Sequence, residues 1–277
     1  MILQRLFSKS KKEKTLDKID DKTSKSLKVG GSIAAGSILG NAILLNKVNN
    51  ISEKSKINSS EKDRKLFEKL ADTFKKEGGN LYKDLEGGPC TVSSSMQNLT
   101  GAANYLKSHD PSFNPKKSSI FMSGVKDPSF LAHEMGHAHF YDNKKANKLL
   151  RVAHKFPIYK SSMEITPFAA GAIGFKSGKN SVKHEKEGTK ESKLSRLSGV
   201  GTGLVGSTPM FASEVAASHK GLQYLKQHGA DLKQIKRARK NLAIAGGTYL
   251  GIAGLNTAIG EVGRGLGRAY AKMEDKK

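Results

Sequence analysis

The sequence predicts a mostly helical protein: an α+β core with a small edge sheet, carried by three to four hydrophobic, membrane-associated helices. Three observations predict it. Charge-free runs cover residues 29–46, 165–175, 197–213 and 241–260, separated by basic polar stretches. Helical spacing of apolar residues recurs between them. A short strand is read at residues 118–123, with Ile120 and Met122 on one face and Phe121 on the other.

Composition narrows the partners. Lys and Arg outnumber Asp and Glu by 48 to 25. That excess suits anionic lipid, nucleic acid or acidic partners, and equally a solvated lysine-rich surface. Aromatic residues are sparse and do not interleave with the lysines, which argues against nucleic acid. The single cysteine, Cys90, excludes an intramolecular disulfide framework. As a thiolate it could mask a metal; a lone loop cysteine is more often inert.

In chain order, residues 1–28 read as a flexible basic tail, too long in its charged start for a signal peptide. Residues 29–46 form a candidate membrane helix, short and rich in Gly and Ser, in which Gly36 and Gly40 have the spacing that lets membrane helices approach closely. Residues 47–160 are read as a catalytic region. Within it Ser60 and Asp63 form a capping box, Leu66, Phe67, Leu70 and Phe74 mark one helical face, and Gly78-Gly79 ends that helix. Gly87-Gly88-Pro89 breaks the chain, and residues 96–107 form a short helix. The strand at 118–123 is placed, by analogy, as the edge along which an extended substrate pairs. Residues 161–213 are read as a hydrophobic hairpin, crossing or re-entrant, around a basic loop at 176–196. Residues 214–240 follow as a further helix, 241–260 as a second candidate membrane helix, and 261–277 as a basic tail.

The chemistry concentrates in His133-Glu134-Met135-Gly136-His137, on a helix expected over about 128–154. Asp127 is its N-cap and Pro128 sits in its first turn. Residues four apart share a helical face, so His133 and His137 can offer two imidazole nitrogens to one zinc ion. Glu134 follows the first ligand and can take a proton from an activated water. Phe130, Leu131 and Ala132 carry no charge, so the helix is expected to be buried. A buried His-Glu-His cluster is costly unless something satisfies it. Gly136 costs about 1 kcal/mol in a helix, which implies that something lies close to the backbone there.

A catalytic zinc takes three protein ligands. Phe140 and Asn143 occupy the places where a downstream third His would stand, and His139 points away from the His137 face. His154, His184, His219 and His228 remain candidates without a supporting pattern. Glu214 is better supported, as the one acidic residue in the largely apolar stretch 197–218. Val215, Ala216 and Ala217 leave room for close packing on the motif helix. His219 or Tyr224 is a candidate to stabilise an oxyanion.

Glu214-x-x-Ala217-Ser218, Leu222, Leu225, Ala238-Arg239-Lys240-x-Leu242 and Thr248-Tyr249 resemble the membrane-bound neutral zinc metallopeptidases of bacteria. Asn114-Pro115-Lys116-Lys117 through Ser123, ahead of Ala132-His133-Glu134-x-Gly136-His137-Ala138, also fits. These enzymes are similar in plan to the heat-shock membrane peptidases and the prenyl-protein endopeptidases. The resemblance covers about residues 114–260. It implies a zincin-like core, Zn2+ as cofactor, His133, His137 and Glu214 as metal ligands, Glu134 as the catalytic carboxylate, and a protein or peptide substrate. The family often carries an acidic residue two after the ligand Glu, where this chain has Ala216.

The expected activity is therefore peptide-bond hydrolysis by an integral, multi-pass membrane protein. The rival expectation is an inactive membrane scaffold or membrane-inserting protein that keeps a structural zinc site. His137 and Glu214 must share one side of the membrane to share a metal, so the crossings between them are even in number. Lys and Arg number 27 on that side against 21 on the other, a difference that slightly favours a cytoplasmic site without fixing the orientation.

Overall fold

The computed structural model describes residues 20–84, 89–100 and 102–275. Residues 1–19 of the expected tail, and Gly87 and Gly88 of the expected break, lie outside the described residues. The described chain is mostly helical with one small sheet. It divides into two compact units: one from residues up to Leu39, Met163–Ser207 and Ile252–Lys277, the other from Gly40–Ser162 and Thr208–Gly251.

Helices of the first unit meet through small residues. They are the start of α1 (Asp21–Ile57), α8 (Thr166–Lys186), the start of α9 (Lys193–Gln227) and the end of α10 (Leu232–Glu274). A methyl group on Gly174 would lie 2.0 Å from the Gly260 carbonyl oxygen, and one on Gly267 2.0 Å from that of Phe175. Backbones in such contact leave no room for side chains, so α8 and α10 can pack only through these glycines. Gly36 and Gly40, expected to serve this purpose, have nothing within 4 Å of an added methyl group. They lie on an open face of α1 with the exposed Ile38, Leu39 and Ile43.

The ends of these helices correct three expectations. Residues 21–28 are not tail but the first turns of α1, because Asp20 Oδ1 accepts the Thr23 N–H at 2.7 Å and caps it. The basic loop at 176–196 shrinks to 187–192. Residues 176–186 stay helical, with Ser177, Gly178 and Ser181 facing inward and the lysines outward, until Gly188 turns at φ 64°. Residues 261–274 likewise continue α10, held by the buried Arg264 and Arg268.

The second unit holds the sheet. Here α2 (Glu61–Lys76) starts at Ser60, whose hydroxyl accepts the Asp63 N–H, and buries Leu66, Phe67, Leu70 and Phe74 as the spacing predicts. Gly78, at φ 84°, follows its end. The strands are β1 (Asn80–Tyr82), β2 (Cys90–Val92) and β3 (Ser119–Phe121), in the order β1-β3-β2. β3 runs parallel to β1, with Leu81 opposite Ile120, and antiparallel to β2, with Thr91 opposite Ile120. The strand expected at the edge is thus the central one, paired on both sides; β1 and β2 are the edges. Between β2 and β3 lie two short helices, α3 (Ser94–Thr100) and α4 (Ala102–His109), where one was expected.

The motif helix, α5 (Pro128–Asp142), begins as predicted: Asp127 caps it through the Ser129 N–H and Pro128 occupies the first turn. It ends at Asp142 rather than near 154. Asn143 leaves the helical conformation, and Asn147 accepts the Leu149 and Leu150 N–H groups to start α6 (Lys148–Ala153). α7 (Phe156–Glu164) follows. The helix expected over 214–240 is two pieces: the C-terminal part of α9, then α10 from Leu232, separated by a turn in which Gly229 has φ 85°.

Among the described residues two helices, α1 and α10, are long and apolar enough to cross a membrane. Only 6 % of the apolar window of α1 and 22 % of that of α10 is buried in protein, unlike a soluble core helix.

Candidate metal centre

His133 and His137 sit one turn apart on α5, and their rings meet edge to face with centroids 4.8 Å apart. Glu214 enters from α9. Its Oε2 lies 3.2 Å from His133 Nε2 and 3.5 Å from His137 Nε2. All three residues are buried, and one ligand atom from each lies within 4.8 Å of the others. In a tetrahedral site with bonds of about 2.0–2.1 Å, ligand atoms stand about 3.3 Å apart. The two imidazole nitrogens and the carboxylate oxygen therefore have the spacing and the chemistry to hold a metal ion. Of the third-ligand candidates weighed in the sequence, Glu214 is the one brought to the histidine pair.

This meeting depends on two helix backbones in contact. A methyl group on Gly136 would lie 2.2 Å from the Ala217 carbonyl oxygen; one on Gly221 would lie 2.8 Å from that of Ala132. The close approach that Gly136 implied is to α9, at the residue three beyond Glu214.

Neighbouring groups orient each donor. Tyr159, on α7, donates its hydroxyl to Glu214 Oε1 at 2.9 Å, leaving Oε2 for the histidines. Burial and the Glu214 charge push the Tyr159 pKa up, so the phenol stays a donor. The Tyr249 hydroxyl lies beside Tyr159 and Glu214. Ser218, one turn after Glu214, places its hydroxyl 3.1 Å from His133 Nδ1. With Nε2 turned to a metal, a neutral imidazole carries its proton on Nδ1, and the Ser218 oxygen accepts it.

His154 supplies a fourth buried ring, its centroid 5.2 Å from that of His137. Its Nδ1 lies 2.7 Å from the Leu150 carbonyl and donates to it, so Nε2 of the neutral ring is an acceptor. Burial, then the neighbouring His137, push its pKa down to about 4. Neither His154 Nε2 nor His137 Nδ1 has a partner. One is an acceptor and the other, with a metal on Nε2, a donor. His154 lies beside the donor triad without belonging to it.

The electrostatics match the donor set. Burial favours the uncharged forms of both His137 and Glu214, yet their attraction outweighs it: the His137 pKa is raised and that of Glu214 lowered. Glu134 is buried but stands outside the donor triad. Thr91 Oγ1, on β2, lies 2.7 Å from Glu134 Oε2 and 2.9 Å from the Glu134 carbonyl oxygen, so its one proton serves either. Cys90, next to Thr91, is exposed as a residue. Protein atoms crowding its sulfur, together with the Glu134 charge, push the thiol up to about 11.

A cavity of about 360 Å³ opens beside Glu214, lined by Phe211, Val215, Ser218, His219, Leu222, Arg239, Leu242 and Leu250 among others. His219 lines it, bonded to Gln223 at 3.0 Å. Tyr224, the other oxyanion candidate, lines a different cavity with Phe74, Met135 and His139. Sequence reasoning gave no role to Thr91 or Tyr159. Neither belongs to a spaced pattern, and each reaches its partner across more than forty residues of chain.

Comparison with protein families, with curated proteins and with solved structures finds no match to this chain. The functional argument therefore rests on the geometry.

Proposed function

We propose that this chain is a zinc-dependent metallopeptidase that hydrolyses peptide bonds at a membrane surface, with a zincin-like core. The observation that carries the reading is the His133–His137–Glu214 triad at metal-ligand spacing with Glu134 beside it and outside it. Bound Zn2+ would polarise the scissile carbonyl and lower the pKa of water toward neutral.

The protein's own residues do the rest. Tyr159 and Ser218 fix the orientation of Glu214 and His133. Glu134 accepts the proton of the attacking water and passes it to the leaving amine. Thr91, able to turn its proton between the Glu134 side chain and backbone, holds the carboxylate without neutralising it. The same residue ties the site to β2, an edge strand. An extended peptide adding to that edge would run past Glu134, the pairing expected of a peptidase, though on a different strand from the one the sequence suggested. The apolar cavity with Arg239 on its wall suits an apolar residue near an acidic group or a chain end.

The membrane setting is supported by the two apolar helices, whose exposed faces include Ile38, Leu39, Ile43 and Leu250. α1 and α10 are proposed to span, with α8 and the start of α9 packed against the second of them.

Two variants test the roles. Glu134→Gln keeps size and hydrogen bonding but removes the base. Zinc content should stay at the parent level while cleavage of a casein-type substrate falls by about 10²–10⁴-fold. Glu214→Gln should lose zinc. A parent that binds no zinc refutes the reading. A parent that binds zinc and cleaves no peptide supports a scaffold with a structural metal instead.

A further inference from the structure

The first unit contains a second cavity, of about 640 Å³, between α1, α8, the start of α9 and the end of α10. Its volume lies in the roughly 300–1,000 Å³ range of ligand sites. We infer that this cavity binds an anionic phospholipid, with its phosphate among the cations at the helix ends and an acyl chain along the apolar wall.

The argument starts from the polar end. Five cations line the cavity, Lys22, Lys25, Lys190, Arg196 and Arg264, against three carboxylates, Glu185, Glu191 and Glu261. Two of those carboxylates are already paired. Glu185 accepts from Lys22 at 2.9 Å and from Arg268 at 3.1 Å, and Glu191 accepts from Arg264 at 2.9 Å. Lys25, Lys190 and Arg196 are exposed and have no ion-pair partner among the described residues. Arg264 is 8 % exposed, and its Nε has no hydrogen-bond partner although the rest of its guanidinium contacts Ser26, Ser181 and Glu191. A buried guanidinium N–H without an acceptor is costly, and it adds to the positive charge on this wall of the cavity.

The other end is apolar. Along α1 the lining residues are Lys22, Lys25, Ser26, Val29 and Ile33, one face of a helix passing from charge to hydrocarbon. From Lys22 to Ile33, eleven steps along the helix, the face rises about 16 Å. On α9 the order repeats, from Arg196 to Leu197 and Val200. Val29, Ile33 and Leu197 are exposed large apolar side chains. A free phosphate would use only the charged end and leave this wall in water. A lipid uses both, and basic pockets between membrane helices are known headgroup sites. The polar end also falls near the charged ends of α1, α8 and α9.

This site is independent of the metal centre, and its test needs no hydrolysis. Full-length protein in an uncharged detergent is titrated with short-chain phosphatidylglycerol, phosphatidylcholine of the same chains, and glycerol phosphate. Bound lipid is read by native mass spectrometry and by thermal shift. Phosphatidylglycerol should bind about tenfold or more tighter than phosphatidylcholine, and glycerol phosphate far more weakly than either. The triple variant Lys25→Gln, Lys190→Gln, Arg196→Gln, checked for folding by circular dichroism, should lose the preference for the anionic headgroup. Ile33→Asn should weaken both lipids alike. Equal binding of the two lipids overturns the inference, as does an unchanged preference in the triple variant. Glycerol phosphate binding as well as phosphatidylglycerol would mark a free-phosphate site and refute the lipid.

Discussion

Replacing Gly136 with Ala tests how the metal triad is built. In an open helix this change stabilises by about 1 kcal/mol. At Gly136 the new methyl would lie 2.2 Å from the Ala217 carbonyl oxygen, and ordinary contact begins at 3.4 Å. The neighbour is backbone, so α5 and α9 must separate by about 1 Å. Overpacking of this kind costs about 1–3 kcal/mol, enough to reverse the propensity gain. Glu214 lies three residues before Ala217 on the same helix and moves with it. Its Oε2 would pass from 3.2 and 3.5 Å to beyond 4 Å from the imidazole nitrogens, too far for bonds of about 2.1 Å at tetrahedral angles. The variant should therefore melt lower than the parent without metal and hold zinc at least about 10–100-fold more weakly in chelator competition. Gly221→Ala, whose methyl would lie 2.8 Å from the Ala132 carbonyl oxygen and so overlap it less, should show a smaller effect of the same sign. Gly246→Ala, with nothing within 4 Å, should leave zinc affinity unchanged. Parent-like zinc affinity and a raised melting temperature in Gly136→Ala would refute the claim that backbone contact sets the site.

Three further outcomes are expected. Zinc affinity should fall by about tenfold per pH unit below the raised pKa of His137, because metal and proton compete for its ring. In the metal-free protein the His137–Glu214 attraction has two pH limits. The His137 part is fully present below its unfolded pKa of about 6.5 and is lost as pH rises through the raised folded value. The Glu214 part is lost as pH falls through its lowered value. Chelator competition from about pH 8 to pH 5 checks the fall in zinc affinity, and a flat profile would contradict it. His154→Phe keeps a ring against Phe140, whose centroid lies 4.6 Å away, but removes a buried imidazole whose ring centroid lies 5.2 Å from that of His137. It should lower zinc affinity by about 10–100-fold with little loss of thermal stability, and an unchanged affinity would leave His154 as packing alone. Finally, the protein should stay with membranes through an alkaline carbonate wash. Recovery in the soluble fraction would mean that α1 and α10 are covered by protein rather than lipid.

What the sequence made legible follows from which forces leave a local pattern. The Ser60 cap, the buried face of α2 and the Asp127-Pro128 start of α5 are all set by residues within one or two turns, and each was read correctly. The end of α5 was not. Leu149, Leu150 and Val152 keep the helical period across residues 143–147, so periodicity alone runs through a break made by Asn143 and Asn147. The helices at 176–186 and 261–274 were missed for the opposite reason. They pack through Gly, Ser and buried Arg instead of an apolar stripe, so the signal that marks a packed helix is absent while the packing is tight. The same distinction governs the site. Thr91 and Tyr159 are joined to Glu134 and Glu214 by single hydrogen bonds across 43 and 55 residues, which leave no trace in local spacing. Glu214 was readable because a lone carboxylate in an apolar stretch demands a partner. Gly136 was readable because a glycine inside a helix demands a neighbour. Those two local anomalies lie at the two ends of one contact, since the backbone that excludes a side chain at Gly136 belongs to the helix that carries Glu214. Residues that are locally unfavourable at both partners are the mark left in a sequence by a long-range contact, and here they located the third member of the cluster.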